Sequence, residues 1–331
     1  MTGPRTPPLA LTAPSPPSPP SPPSLASAAG ERAGGALLVA AHPDDETIGA
    51  GGLLAHLTVC AVVHLTDGAP RDPRRRADGF RGTRAVYARI RRAELLAALA
   101  LAGVGPERVL ALPGVDQEVA LVMPPLARAL EAVLRALRPS IVITHPYEGG
   151  HPDHDAAALI VRAAVARLRR RDAAAPMIVE MTSYHAGEGG LVTGAFLPPQ
   201  AAADPPLAGA AGLHPGPPAL DAVTIDLGGT DLARKRRMLA CFATQRSTLA
   251  PFSHAVERFR PAPPCDFTRP PHDGPLHYER LGWILTGARF RELAAAALRE
   301  LGLDTCALAE PRPPTGAPPP ASAGDPEGPC R

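Results

Sequence analysis

The chain has 331 residues, 45% of them hydrophobic and 20% charged, with 34 basic against 32 acidic side chains and a formal net charge of +2. That balance suits a globular protein with one large domain and leaves no electrostatic footprint for nucleic acid, because the arginines are spread among acids and Lys235 is the only lysine. The five cysteines, Cys60, Cys241, Cys265, Cys306 and Cys330, are scattered without a C-x-x-C pair, which argues against a disulfide framework or a thiolate metal site, and no apolar run approaches the roughly 20 residues that cross a bilayer.

Residues 1–35 carry Ser-Pro-Pro repeats that deny the backbone its donors and offer only small side chains, so they read as a polyproline II-like tail, and 307–331 read the same way. The N-terminus has no apolar segment behind a basic start, and the default compartment is cytoplasmic. Leu37 to Ala41 is a short apolar run broken by His42-Pro43-Asp44-Asp45-Glu46, the pattern of a buried strand that ends at a polar site. Thr47 to Leu57 reads as a helix whose glycines, Gly49, Gly51 and Gly52, permit close packing. Val59 to Thr66 is a second strand closed by Asp67-Gly68, and His64 within it reads as a core histidine. The spacing of Val86, Ile90, Leu95 and Leu99 predicts a helix over 83–102, with Arg91 and Glu94 placed for an i,i+3 ion pair.

A third strand follows over 108–113, then a loop with Asp116, then a helix over 124–137 with proline in its first turn. Ser140 to Thr144 is a fourth strand and opens onto His145-Pro146-Tyr147-Glu148-Gly149-Gly150-His151-Pro152-Asp153-His154-Asp155. A helix over 156–168 and a strand over 178–183 complete five alternations of strand and helix. The predicted fold class is therefore α/β, a Rossmann-like doubly wound, mostly parallel sheet with helices on both faces. Residues 186–221, rich in Gly, Ala and Pro, are too long for an ordinary connector and read as a lid or wall. A strand over 223–227, a helix over 232–243, a proline-rich excursion over 261–275 and a closing helix over 285–301 end the ordered pattern.

The chemistry sits after the first and fourth strands. A turn between His42 and Asp45 aims both side chains at one point while Asp44 points elsewhere, and His151 and His154 reach one pocket with Asp153 free to hold an imidazole N–H. Taken singly, the acids after His42 also suit the start of a helix, where they favour its positive end, and the second motif also suits a polar loop. The remaining histidines, His56, His185, His214, His254, His272 and His277, have no such company and read as surface or loop residues.

Ala41-His42-Pro43-Asp44-Asp45-Glu46 and Gly150-His151-Pro152-Asp153-His154 resemble the paired signatures of the PIG-L/LmbE-like family of zinc-dependent N-deacetylases, which act on N-acetylglucosaminyl groups. Thr66-Asp67-Gly68 and Arg91-x-x-Glu94 extend the similarity, which runs from about Ala36 to Arg167. The resemblance implies one deacetylase domain over 36–306, with 186–221 and 261–275 as insertions. It implies His42, Asp45 and His154 as ligands of Zn²⁺, with Fe²⁺ suited to the same set, and Asp44 as general base. It further implies His151 as an imidazolium beside the oxyanion, oriented by Asp153, and Arg91 as a substrate contact; Asp116, a loop residue that also suits a turn, and Tyr147 beside the strand are further candidates to touch substrate. Some members of that family carry an aromatic two residues before the first histidine of the second motif, where this chain has Gly149. The implied partner is a small N-acetylated sugar conjugate. An amidase for a larger acyl group would share every catalytic part, and a non-catalytic sugar- or nucleotide-binding module would share the sheet.

Overall fold

The structure, a computed structural model, describes residues 34–171, 175–197, 222–304 and 308. The tails, apart from residues 34, 35 and 308, and residues 198–221 of the expected lid lie outside the described residues. Five strands, β1 (Ala36–Ala40), β2 (Val59–Thr66), β3 (Val109–Gly114), β4 (Ile141–Thr144) and β5 (Met177–Met181), form a parallel array. A short antiparallel hairpin, β6 (Tyr184–Gly187) with β7 (Gly190–Thr193), stands apart from the main sheet. The strands β8 (Val223–Asp226) and β9 (Val256–Pro261) complete a seven-stranded sheet in the order β3-β2-β1-β4-β5-β9-β8, with β9 antiparallel to both neighbours.

The apolar strands are continuous runs because both faces of the sheet are covered. Successive side chains of β1 go to opposite sides: Leu37, Val39 and Ala41 meet one apolar cluster and Leu38 and Ala40 the other. The first cluster is closed by α3 (Met123–Leu137), α4 (Pro152–Arg169) and α6 (Gly287–Glu300), which contribute Leu126, Leu130, Leu159 and Phe290. The second is closed by α1 (Asp45–Ala50), α2 (Arg84–Leu101) and α5 (Gly229–Ala240), with Leu95, Leu99 and Met238 among the buried residues. Each fully buried leucine contributes about 1.5–3 kcal/mol relative to exposure, so the two faces of β1 fix its position strongly.

Four elements differ from expectation. The helix expected over Thr47 to Leu57 is a short α1 followed by a separate 3-10 turn over Leu53–His56. The helix expected from Ala156 begins at Pro152, so the second motif forms the helix's first turn rather than a loop before it. Proline at the first position and acids in the first turn, Asp153 and Asp155, are the features that make this start favourable. Part of the expected lid is the β6–β7 hairpin. The strand β9 is invisible as a pattern because three of the five residues Val256-Glu257-Arg258-Phe259-Arg260 are charged, and these charges are satisfied only by distant partners. Glu257 pairs with Lys235 of α5 at 2.7 Å, both side chains being 0% exposed, and Arg260 pairs with Glu180 of β5 at 2.8 Å.

Glu257 also accepts from the backbone N–H groups of Gly52 and Leu53, while Lys235 donates to the carbonyl of Ile48. This buried pair therefore fastens α5 and β9 to the back of the helix that follows the first motif. Removing one member leaves the other charge unpaired, which costs about 3–5 kcal/mol. Lys235→Met should lower the thermal unfolding midpoint accordingly, and adding Glu257→Gln should recover part of the loss; an unchanged midpoint in the single variant would show the pair to be idle.

Candidate active site

The strand order reverses between β1 and β4: the chain leaves β1 for one face and β4 for the other. Both polar motifs emerge from the carboxyl ends of these two adjacent strands, the crevice in which open α/β sheets take ligands. Tertiary structure thus brings together two segments about a hundred residues apart in sequence.

His42 follows β1 directly. Its Nδ1 lies 3.2 Å from Asp45 Oδ2, and its Nε2 lies 3.1 Å from Asp153 Oδ2 and 3.3 Å from Asp116 Oδ1. Burial disfavours charge on this ring, but the Asp116 carboxylate, with Asp153 and Asp45, prevails and raises its pKa well above the usual histidine value. Asp45 is the point of convergence. Its Oδ1 lies 3.2 Å from His154 Nε2 and its Oδ2 lies 3.4 Å from His145 Nε2. Burial would raise the Asp45 pKa, yet the neighbouring His154 and His145 rings hold it well below the ordinary carboxylate range.

Asp44 goes the other way. It occupies the cap position of α1 at φ 138° and ψ −28°, makes no side-chain cap bond, and turns its Oδ2 to within 3.2 Å of Arg91 Nη2. The acids do begin a helix, but their side chains serve the site. Burial pushes the Asp44 carboxyl up to about 7, with Arg91 opposing and Asp45 adding to the rise. A base whose pKa lies near neutrality is matched to proton transfer at neutral pH.

His151 caps α4, and its Nδ1 accepts the backbone N–H of Asp153 at 3.0 Å. Burial, reinforced by His42 and His154, holds its pKa well below the usual value, which favours the neutral ring over the expected imidazolium. With Nδ1 an acceptor, the proton of the neutral ring is on Nε2. The expected orientation of His151 by the Asp153 carboxylate is not what the site contains; that carboxylate instead meets His42 and accepts the backbone N–H groups of Gln117 and Val119 at 2.6 and 3.1 Å. The reason is the helical first turn, which sends adjacent side chains in different directions and leaves only the Asp153 backbone facing the His151 ring.

Of the three residues expected to touch substrate, Asp116 lies at the site beside His42. Arg91 is 2% exposed and is engaged with Pro43 O and Asp44, so its guanidinium faces a protein carboxylate rather than the open crevice. Tyr147 leaves the site altogether: its hydroxyl donates to Arg269 O at 2.9 Å and its ring packs between Phe267 and Phe290 in the core. Its large apolar ring sits just past the end of β4, where the cluster under α6 can bury it.

Several participants are not singled out by the sequence. His145 stacks on His154 at a ring-centroid distance of 4.0 Å, and burial with the neighbouring His154 pushes its pKa down to about 4. Its Nε2 accepts the N–H of Ala41 at 3.1 Å and so ties the end of β1 to the end of β4. Ser183 Oγ holds His154 Nδ1 at 3.1 Å, leaving Nε2 turned toward Asp45. Trp283, from the segment before α6, meets the His151 ring at 4.6 Å. His185, read as a surface or loop residue, is buried on β6. Only the immediate position of His145 after an apolar strand is a usable signal; Ser183 and Trp283 lie far along the chain.

These donors fit a divalent cation. His42, His151 and His154 each offer a ring nitrogen within 4.8 Å of the others, as do Asp45, His145 and His154 through one donor atom each. Asp45 Oδ2 lies 3.2 Å from His42 Nδ1 and its Oδ1 lies 3.2 Å from His154 Nε2, so the two rings face different oxygens of one carboxylate, each at about the 3.3 Å that separates neighbouring ligands with bonds of about 2.0–2.1 Å. A buried carboxylate ringed by imidazoles, one of them held by a serine on its far nitrogen, is the donor chemistry of such a centre.

A family model described as PIG-L, GlcNAc-PI de-N-acetylase, matches residues 37–165, which include both motifs. A 1D-myo-inositol 2-acetamido-2-deoxy-alpha-D-glucopyranoside deacetylase of Rhodococcus erythropolis is 36% identical over 152 residues, 39% of this chain and 52% of that protein, so this match spans about half the relative's length. A protein of the same description from Rhodococcus opacus is 32% identical over 261 residues, 65% of this chain and 82% of that protein. Among solved structures, the N,N'-diacetylchitobiose deacetylase of Pyrococcus horikoshii shares 20% identity, with 65% of this chain and 73% of that one covered and a TM-score of 0.44. With the motifs inside the matched segment and 82% of the second Rhodococcus protein spanned at 32% identity, the chain belongs to the PIG-L family.

Proposed function

We propose that this chain is a metal-dependent hydrolase that removes the acetyl group from an N-acetylglucosamine-type conjugate. The observation that carries the reading is the divergence of two adjacent aspartates: Asp45 is spent on imidazoles, and Asp44 is turned to Arg91 with its pKa near neutrality. The two Rhodococcus relatives, described as deacetylases of a 2-acetamido-2-deoxy-glucopyranoside, support the substrate class.

His42, Asp45 and His154 would hold the ion. Zn²⁺ suits these ligands, as does Fe²⁺, and when bound such an ion supplies Lewis-acid polarisation and a more acidic water. Asp44 accepts the proton of the attacking water as the water oxygen bonds to the acetyl carbon. The neutral His151 ring donates its Nε2–H to the carbonyl oxygen, where negative charge develops, and preorganised donors at that atom are usually the largest electrostatic contribution. Asp44 then returns its proton to the nitrogen as the C–N bond breaks, giving acetate and a free amine. Arg91 keeps the Asp44 carboxylate in place, and Asp153 with Asp116 holds the His42 ring.

Purified protein should contain a divalent metal by elemental analysis and release acetate from N-acetylglucosaminides; a metal-loaded protein inert on every such glycoside would sink the assignment, and release of a larger acid alone would favour the amidase alternative. Asp44→Asn should retain the metal while kcat falls about 10²–10⁴-fold. Ser183→Ala, which frees the far nitrogen of His154, should weaken metal affinity about 10–100-fold in a chelator competition, and His154→Ala should lose the metal. Unchanged metal content in His154→Ala would move the ion to another set of donors.

A further inference from the structure

We infer that Glu46 and His64 form a positioning pair that holds Asp44 in its working orientation by gripping its backbone. The inference rests on Asp44 being the proposed base, and concerns what keeps that base turned away from the metal ligands.

Asp44 has φ 138°, in a region that L residues rarely adopt. Such a conformation persists only when its surroundings over-determine it. The carbonyl of Asp44 is taken by the first turn of α1, accepting from Thr47 N and Ile48 N at 2.9 Å each. Its N–H precedes the helix, and its partner is a side chain: Glu46 Oε2 accepts it at 3.0 Å. The acceptor is itself fixed. His64 Nε2 donates to the same oxygen at 2.9 Å from the neighbouring strand β2, and Thr47 Oγ donates to Glu46 Oε1 at 2.6 Å. Glu46 is 0% exposed and His64 1%, so neither meets solvent. His64 Nδ1 is buried without a hydrogen-bond partner among the described residues, and this leaves the ring one polar task, the grip on Glu46.

The contact from Glu46 to the Asp44 N–H is the return half of a capping box, in which an acid inside the first turn accepts from the cap residue. The other half is missing: the cap's own carboxylate makes no bond to the helix and is released toward Arg91, and the returning acid is itself held by His64. Without an acceptor at that N–H, the peptide joining Pro43 to Asp44 is held only at its carbonyl, by Arg91, and its buried N–H is left unpaired in the strained rotation. Relaxation of Asp44 toward helical φ would swing its carboxylate off Arg91. His64, which the sequence presents as an ordinary core histidine, is thus the far end of a relay from β2 through Glu46 to the Asp44 backbone.

The test compares metal content, thermal midpoint, kcat and KM for acetate release from an N-acetylglucosaminide in Glu46→Ala, Glu46→Gln, His64→Leu and Asp44→Asn, and in the double variant Asp44→Asn with Glu46→Ala. Glu46→Ala should keep the metal and KM while kcat falls about 10–100-fold, the usual cost of losing a supporting partner. Glu46→Gln keeps an oxygen acceptor for both donors and should restore most of kcat, and His64→Leu should fall between. In the Asp44→Asn background Glu46→Ala should cost little more, because residues that act through one another are not additive. Equal losses in both backgrounds, loss of metal, or full activity in Glu46→Ala would overturn the pair while leaving the hydrolase reading intact. A metal-loaded wild type that releases no acetate would overturn that reading and this inference with it. Should Glu46→Ala not fold, a Glu46→Gln protein with wild-type midpoint and a kcat as low as that of Asp44→Asn would equally refute the pair.

Discussion

Asp45 and the imidazoles around it impose the constraint on which the rest of the site depends. Carboxylate and ring nitrogens lie close together, buried at the ends of two parallel strands that share a register. Such a cluster is costly to assemble in a low-dielectric setting unless every polar atom has a partner. Most of the local architecture supplies those partners. Ser183 takes the far side of His154, Ala41 N–H takes His145, and Asp153 takes His42 while also holding the backbone at Gln117 and Val119.

The same logic extends behind the site. Glu148, just past β4, accepts from Leu197 N and faces Arg260, which also meets Glu180; Glu180 in turn pairs with the buried Arg162 of α4. Burial pushes the Glu148 carboxyl up to about 8 in spite of Arg260. This network joins the end of β4, the strands β5 and β9 and the helix that carries the second motif. Buried ion pairs of this kind are poor sources of net stability but penalise alternative arrangements, because any register that separates them strands a charge. Close backbone approach completes the wall: a Cβ on Gly150 would collide with the carbonyl oxygen of Tyr184, so the second motif can lie against β6 only with glycine there.

Much of this is legible in the chain itself. The central strands β1 and β4 are marked by continuous apolar runs, a direct result of two-sided burial, and His42, Asp44, Asp45, Asp116, His151, Asp153 and His154 do come together in one crevice. Arg91 and Tyr147 depart from expectation for a common reason. Each is a side chain long enough to reach either the crevice or the interior, and the choice is made by partners distant in sequence, Asp44 for one and Phe267 with Phe290 for the other. The strand β9 is hidden because its charges look like surface until Glu180 and Lys235 are placed beside them.

The periodicity of each element, the polar breaks after β1 and β4, and the donor types those breaks carry are all written along the chain, because they follow from local order and side-chain chemistry. Tertiary structure alone decided which donors face one another: that Asp153 serves His42, that Glu46 reaches the Asp44 backbone and His64, and that Trp283 arrives beside His151. Those contacts depend on the packing of helices against two faces of a sheet, where directions in space are set by buried area and by the pairing of buried charge, and neither is written in the spacing of residues along the chain.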